Sequence, residues 1–463
     1  MFERTAAPSQ FTTNALILFI ILTEGFVSIA VEMITIRQLL PVAGGSVIVT
    51  SLIIGIFLLF LALGYAQGGA YSGDARSLLR RNFLLAAFWL GIGLSYVFIN
   101  YFFNFLEGVL GQHIFYPVIL YLLVIIAPLI FVLGQTIPIV LNGLQTEKTA
   151  GRIGGQALAL NTIGSFLGSI GTTVIFFHYF GIGFTIFINA TLLLGLNLLL
   201  TRDKDFVLTL LFAVSVSVFL FILNVSKESA RFTLTNNYAN YEVLKLQQNS
   251  QEKILVINSG LSAYTNDHGQ GFPYIEMIKK ILFRDLKLSN KAILVLGAGG
   301  FSLSAENTFG NNFTYVDIDQ QLLKVVVPHF RTEIKENLMI DDARHYLRIH
   351  QQLFDAIVTD VYSDVKAIPA QFLTREYMHS VHHHLTKQGI AIFNIIANPF
   401  LTDAYSKRID NTIRSVFANC MVIPHTYADR PTNIIYSCKK ADHPDPIVYT
   451  DDLNRSTTDA FSW

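Results

Sequence analysis

The chain changes its hydrophobic rhythm once, near residue 225. Before that point, long and mostly apolar windows recur at roughly 14–36, 46–68, 82–105, 115–142, 156–178, 183–200 and 206–224. A helix needs about 20 such residues to cross a bilayer core, so the seven windows predict seven membrane spans joined by short loops. The polar start, Met1 to Thr13, runs straight into the first window and is read as leading into a retained span rather than a cleavable signal. Beyond residue 231 the pattern turns to alternation. Tyr241–Leu246 and Lys253–Asn258 predict two strands, with Ser259-Gly260 as a turn.

From Lys291 the elements alternate in kind. Apolar strands are predicted at Lys291–Leu296, up to Asp317-Ile318-Asp319, at Asn337–Ile340, Ala356–Thr359 and Ile390–Ile396. Helices are predicted from Ser302, from Gln320, before Ala356, near Arg375–Leu385 and near Tyr405–Phe417, followed by two final strands around Met421 and Ile434. Strand–helix alternation implies a doubly wound parallel sheet. The predicted organisation is a transmembrane helical bundle over 1–225, a small β-element with a connecting helix over 226–285, and an α/β domain over 286–463.

Composition sharpens the division. Only 17 of the 66 charged residues fall in the first 225, so the two halves suit different solvents. Formal net charge is zero, which gives nucleic acid no electrostatic footprint to bind and removes that class. Cys420 and Cys438 are too few for a disulfide framework, yet they could face each other across neighbouring strands. His382-His383-His384 sits where a helix ends before Gly389 and is read as helix-end imidazoles; no metal site is expected.

With seven spans, Arg4, Arg76, Arg80, Arg81, Lys148, Arg152, Arg202 and Lys204 all fall on the face of the N-terminus, against Arg37 alone in the short loops opposite. The positive-inside bias therefore places the N-terminus in the cytoplasm and the C-terminal domain outside it, in an inner (plasma) membrane protein. Within the spans, Glu24 and Glu32 share a helix face with Arg37 beyond them, and are expected to face the bundle interior. Two readings stay open for them: an intramembrane polar site with Gln135, Asn161 and His178, or hydrogen bonds that fix helix packing. Gly154, Gly155, Ala159, Gly164, Gly168 and Gly171 are expected to let helices approach closely.

Ligands of open α/β sheets bind beyond the carboxyl ends of the strands. There the first strand of the α/β domain carries Gly297-Ala298-Gly299-Gly300, whose bare backbone suits close approach to a ligand. The next ends in Asp317 and Asp319, about twenty residues on, where a carboxylate accepts ribose hydroxyls. The third ends in Asp341-Asp342-Ala343-Arg344, and the fourth in Asp360-Val361-Tyr362-Ser363-Asp364. An acidic rim suits a cationic second substrate, and a partly desolvated carboxylate on it can deprotonate an amine.

These residues resemble the polyamine aminopropyltransferase (spermidine synthase) family, in the branch fused to a membrane bundle. The likeness rests on Val295-Leu296-Gly297-Ala298-Gly299-Gly300, Val316-Asp317-Ile318-Asp319, Asp342-Ala343-Arg344 and Asp360-Val361-Tyr362-Ser363 with Ile368-Pro369. In the bundle, Val31–Arg37 with Gly44-Gly45-Ser46, Gly134–Pro138 and Asn161–Ser169 are similar to that branch's segments. The resemblance implies a multi-pass helical bundle plus a Rossmann-like, spermidine-synthase/methyltransferase-type domain. It implies transfer of an aminopropyl group from decarboxylated S-adenosylmethionine to an amine, with no tightly bound cofactor. Gly297 and Gly299 would line the nucleoside pocket, Asp317 would hold the ribose hydroxyls and Asp342 the adenine amino group. Asp360 would be the general base, with Tyr274, Glu276 and Asp364 contacting substrate.

The chain also departs from the family pattern: Gly300 and Phe301 stand where the family has an acid and a glycine, Ser262 or Ala263 where it has glutamine, Ile275 where it has histidine, and Ser363 where it has a second acid. Fewer acids imply a weaker hold on a polyamine. Rival readings are a methyltransferase using S-adenosylmethionine, a transferase modifying a lipid or envelope amine, and a non-enzymatic nucleoside-binding transporter or sensor. The expected partners are the nucleoside donor, a polyamine or other amine acceptor and the lipid bilayer, with a homodimer as a further candidate. An extracytoplasmic domain would not ordinarily meet a cytoplasmic donor, so the loop-charge orientation and this activity pull apart.

Overall fold

The structure, a computed structural model, describes residues 10–44, 47–110, 115–142, 150–246, 252–266, 269–306, 308–362, 368–440, 450–451 and 456. Arg4, Gly45, Ser46 and Lys148, used in the sequence reading, lie outside the described residues. The chain divides into two compact units, Met1–Arg231 with Thr235–Asn237, and Phe232–Leu234 with Tyr238–Trp463.

The described residues of the first unit are mainly helical. Among the described residues, six helices are long and apolar enough to cross a membrane: Ala15–Ala43, Val47–Ala70, Phe115–Asn142, Gly151–Phe180, Ile182–Leu199 and Asp203–Arg231. The third apolar window is not a straight span. It is a pair, Ala75–Gly93 and Tyr96–Val109, bent by 65°, so the count reaches seven only if the pair counts as one span. The break falls at Leu94-Ser95, where the Leu94 and Ser95 N–H groups turn back to the Leu90 and Ile92 carbonyls.

Glycines set how closely these helices pack. A Cβ at Gly164 would run into the Leu22 carbonyl and one at Gly168 into the Phe26 carbonyl, so the two helices touch backbone to backbone. Gly154 and Gly155, predicted to do the same, meet nothing nearby. Helix Asp203–Arg231 turns Val207, Leu208 and Leu211 outward, Leu208 being 75 % exposed. An apolar face that wide suits hydrocarbon better than water.

Eleven strands fall among the described residues: β1 Leu234–Thr235, β2 Asn240–Lys245, β3 Lys253–Ile257, β4 Gly260–Thr265, β5 Ala292–Leu296, β6 Asn312–Asp317, β7 Asn337–Ile340, β8 Phe354–Thr359, β9 Leu385–Ala397, β10 Asn419–Pro424 and β11 Thr432–Lys439. The first four form a small sheet in that order, in which β2, β3 and β4 run antiparallel; β4 is the strand that the Ser259-Gly260 turn leads into. The other seven form one sheet in the order β10-β11-β9-β8-β5-β6-β7.

That large sheet is mixed rather than parallel throughout. β5 to β9 pair in parallel, but β11 runs antiparallel to β9 and β10 antiparallel to β11. The segment between β10 and β11 is too short for a crossover helix, so only an antiparallel return is available. Cys420 and Cys438 are direct partners in this hairpin and are joined by a disulfide.

The central strands read as unbroken apolar runs because both faces are covered. On β5, Leu294 and Leu296 enter one core layer while Ile293 and Val295 enter the other. A second departure lies just after β5. The expected helix from Ser302 is a single 3-10 turn, Ser302–Ser304, entered through Phe301 in the left-handed region (φ 55°). The glycine loop therefore has no helix N-terminus behind it.

Candidate active site

Backbone hydrogen bonds stitch the strand ends together before any side chain acts. The Asp360 N–H donates to the Leu296 carbonyl (2.9 Å), Gly297 N–H to Val316 (2.9 Å) and Asp341 N–H to Asp317 (3.0 Å). Gly297 takes φ +92°, and a Cβ there would collide with the Asp360 carbonyl, so the loops after β5 and β8 close on each other only because position 297 is glycine.

These loops enclose a cavity of about 610 Å³. That lies within the usual span of small-molecule sites, roughly 300–1,000 Å³. Gly297, Gly299, Asp317, Asp342, Asp360 and Tyr274 all line it, together with Asp319 and Asp341. Glu276 does not. Its carboxylate accepts from the Gly271 N–H (2.8 Å) and pairs with Lys279 (2.9 Å), which ties the start of its own helix. Ser363 and Asp364 lie outside the described residues.

Each carboxylate is held in its own way. Asp317 Oδ2 accepts from Ala298 N–H (2.9 Å) and Oδ1 from Asp319 N–H (3.0 Å), and the Ile318 backbone N–H also acts on this carboxylate. Burial raises the pKa of Asp317 above the usual carboxylate value, and the backbone N–H bonds oppose the rise. Asp319 is braced by Tyr241 Oη from β2 (2.6 Å) and by Gln321 N–H (2.9 Å). Asp342 caps the helix Ala343–Ile349, its Oδ1 accepting from His345 N–H (2.9 Å), while His345 Nδ1 lies 2.8 Å from Asp341.

Asp360 sits at the centre of a polar chain that the sequence reading did not foresee. Tyr274 Oη donates to its Oδ2 (3.1 Å) and Asn394 Nδ2 to its Oδ1 (2.8 Å). Asn433 Nδ2 in turn donates to Asn394 Oδ1 (2.9 Å), which fixes the Asn394 amide with its NH₂ toward Asp360. Tyr362 Oη donates to the Asn394 carbonyl (2.7 Å). Burial pushes Asp360 upward in pKa, countered by Asn394 and Tyr274; burial and then the Asp360 charge push Tyr274 well above its ordinary value, so its hydroxyl stays a donor. The available signal for Asn394 was an amide inside the otherwise apolar run Ile390–Ile396.

The arrangement can hold a hydroxyl-bearing ligand on Asp317 and accept a proton at Asp360. The carboxylates that line the cavity favour a neutral or cationic ligand. Fold and site thus define an α/β domain with a carboxylate-lined cleft at the carboxyl ends of its parallel strands, where open α/β sheets bind small molecules. Residues 271–449 match the model of the spermine/spermidine synthase domain.

The chain is 27% identical over 128 residues to a probable polyamine aminopropyl transferase of Bifidobacterium longum; the match spans 27% of this chain and 28% of that protein. A probable spermidine synthase of Corynebacterium glutamicum is similar at 21% identity and TM-score 0.39, covering 44% of this chain and 78% of that one. Spermidine synthase of Thermotoga maritima is similar at 13% identity and TM-score 0.35, covering 49% and 82%.

Proposed function

We propose that the second unit is an aminopropyltransferase-type enzyme, moving an alkyl group from an S-adenosyl-type donor, decarboxylated S-adenosylmethionine, to an amine acceptor. The observation that carries this reading is Asp360: a buried carboxylate, gripped by Tyr274 and Asn394, in the cavity that Asp317, Asp342 and the Gly297–Gly299 loop also line. The spermine/spermidine synthase domain match over 271–449 supports it.

In the proposed reaction, Asp317 accepts the ribose hydroxyls and Asp342, with one oxygen left over from helix capping, takes the adenine amino group. The acceptor enters as an ammonium ion and gives one proton to Asp360. Its freed lone pair attacks the donor carbon next to the sulfonium, forming a C–N bond as the C–S bond breaks. The sulfur leaves with the bonding pair as neutral methylthioadenosine, so no acid is needed for the leaving group. Burial that raises the Asp360 pKa makes it a stronger base toward the amine.

The first unit is proposed as a multi-pass membrane anchor with a cytoplasmic N-terminus. With the bent pair counted as one span, the second unit lies outside the cytoplasm; the Cys420–Cys438 disulfide supports that side, since disulfides persist in oxidising compartments. Calorimetric titration with decarboxylated S-adenosylmethionine, S-adenosylmethionine and methylthioadenosine tests the donor site. Binding of the first and third, weakened in Asp317→Ala, is expected. A wild-type protein that ignores all three ligands would falsify the transferase reading.

A further inference from the structure

The helical unit carries a groove that the proposed reaction does not use. Helices Ala15–Ala43, Gly151–Phe180 and Ile182–Leu199 border a cavity of about 520 Å³, lined by Phe19, Phe26, Phe176, Phe187 and one side of the last helix between Ile188 and Leu199. Phe19 is 46 % and Leu199 51 % exposed, so the groove opens on the outside of the bundle. Of the described residues that line it, only Thr191 carries a hydroxyl, and that donates to the Phe187 carbonyl of its own helix (2.8 Å). The side chains around the groove therefore offer hydrocarbon alone. Gly195 widens it, since a Cβ there meets nothing within 4 Å.

Its length and its end select an occupant. From Phe187 to Leu199 the helix rises by about 18 Å, close to half of the roughly 30 Å hydrocarbon core of a bilayer, which is the depth that one acyl chain covers in its leaflet. A cationic corner begins where the groove stops. Arg76 donates to the Leu200 (2.6 Å) and Thr201 (3.1 Å) carbonyls, directly after the groove residue Leu199. Arg80, one turn further along the same helix face, donates to the Thr209 hydroxyl (3.4 Å), and its Nε is enclosed with no acceptor among the described residues. Arg202 lies 3.9 Å from Asp74 with both side chains more than half exposed, a weak pairing. Residues 74–81 and 202–205 hold Arg76, Arg80, Arg81, Arg202 and Lys204 against Asp74, Asp203 and Asp205, so the corner is net positive.

We infer that the groove holds one acyl chain of an anionic phospholipid whose phosphate sits against Arg80 and Arg202. The inference rests on the first unit being a membrane anchor and is independent of the transfer reaction. Van der Waals contact with the phenylalanines holds the chain, as it holds helices together within a bilayer, and the guanidinium fork, which matches phosphate oxygens, supplies the preference for a charged headgroup.

The test uses the full-length protein in detergent micelles and phosphatidylglycerol with a photoreactive diazirine on its acyl chain, the cross-linked residues being read by mass spectrometry. Cross-links are expected to gather on Phe19, Phe26 and residues 187–199. Unlabelled phosphatidylglycerol should displace them at about one-tenth of the concentration that phosphatidylcholine needs, the ratio for roughly one charge-assisted contact. Arg80→Gln combined with Arg202→Gln, checked for folding by its melting curve, should bring the two lipids level. Gly195→Leu, whose side chain enters open space, should remove most of the cross-linking without lowering the melting temperature. Cross-links spread evenly around the bundle, or equal displacement by the two lipids in the wild type, overturn the site. Unchanged cross-linking in Gly195→Leu together with an altered oligomeric state gives the groove to a second copy of the chain instead. A chain that stays in solution without detergent sinks the membrane reading itself, whereas even cross-linking of a micelle-bound protein sinks only the lipid site.

Discussion

The helical unit and the α/β unit both bury acids, and they satisfy them by opposite means. In the helical unit Glu24 relies on side chains from two helices, Ser28 and Asn161, because every backbone N–H around it is already spent inside a helix. In the α/β unit Asp317 takes its donors from loop backbone, Ala298 and Asp319, which strand ends leave free. Helix interiors therefore hold an acid only through the side chains that reach it, whereas strand ends gather carboxylates around free backbone donors. Glycine divides the same way: Gly164 and Gly168 remove bulk so that helices touch, while Gly297 supplies a positive φ so that a loop can close.

The largest effect that would sharpen this contrast is expected from Asp360→Asn. It keeps the shape of the hydrogen-bonded chain and removes the base, so kcat/KM for alkyl transfer should fall by about 10²–10⁴-fold. Donor affinity measured by calorimetry should stay near wild type. A variant that loses donor binding as severely as turnover would place Asp360 in the nucleoside site instead.

Cutting the hairpin comes next. The disulfide between Cys420 and Cys438 closes a segment of 18 residues. Replacing both cysteines by serine should cost about 3 kcal/mol of stability, read as an earlier urea midpoint for the second unit under oxidising conditions. No difference between the variant and the oxidised wild type would show that the cross-link does not form in the folded protein.

Asp317→Ala removes a carboxylate that lines the cavity. Donor binding should weaken by about 1.5–3 kcal/mol, the range for hydrogen bonds to a charged group. In the helical unit, Gly164→Val forces a side chain against the Leu22 carbonyl and should destabilise by about 1–3 kcal/mol, measured as a lower melting temperature in detergent. The same change at Gly155, which faces open space, should be nearly silent.

The smallest and most discriminating effect concerns pH. Asp360 works as the ionised base, and burial has raised its pKa, so the acid limb of kcat/KM should lie above the ordinary aspartate value of about 3.9. Asn394 and Tyr274 hold the ionised form and lower that pKa. Asn394→Ala removes one of these donors, so its limb should move to higher pH. A limb that stays in place, or moves to lower pH, would detach Asn394 from the titrating group.

Much of this site could be read along the chain because its parts sit at strand ends, and strands announce themselves as short apolar runs. Gly297, Asp317, Asp342 and Asp360 each follow such a run, and all four line the cavity. Glu276 shows the limit of carrying a role over by position. Two residues from Tyr274 on the same short helix, about half a turn round, it faces another way and spends its carboxylate on Gly271 and on Lys279 three positions along. Asn394 and Asn433 were hidden for the complementary reason, as single amides in strands whose neighbours are apolar, given meaning only by the register that pairs β9 with β11.

What the amino-acid order determined by itself was local: apolar length for the helices, alternation and runs for the strands, and glycine or aspartate at their ends. These follow from the period of a helix or strand and from the conformations a residue tolerates, both set within a few positions. Tertiary structure alone decided the rest. It set the antiparallel pairing of β11 with β9, the 65° break at Leu94-Ser95, the replacement of a helix after Phe301 by one 3-10 turn, and which carboxylates find donors. Each of these depends on groups tens to hundreds of residues away, whose packing and hydrogen bonds outweigh local preference.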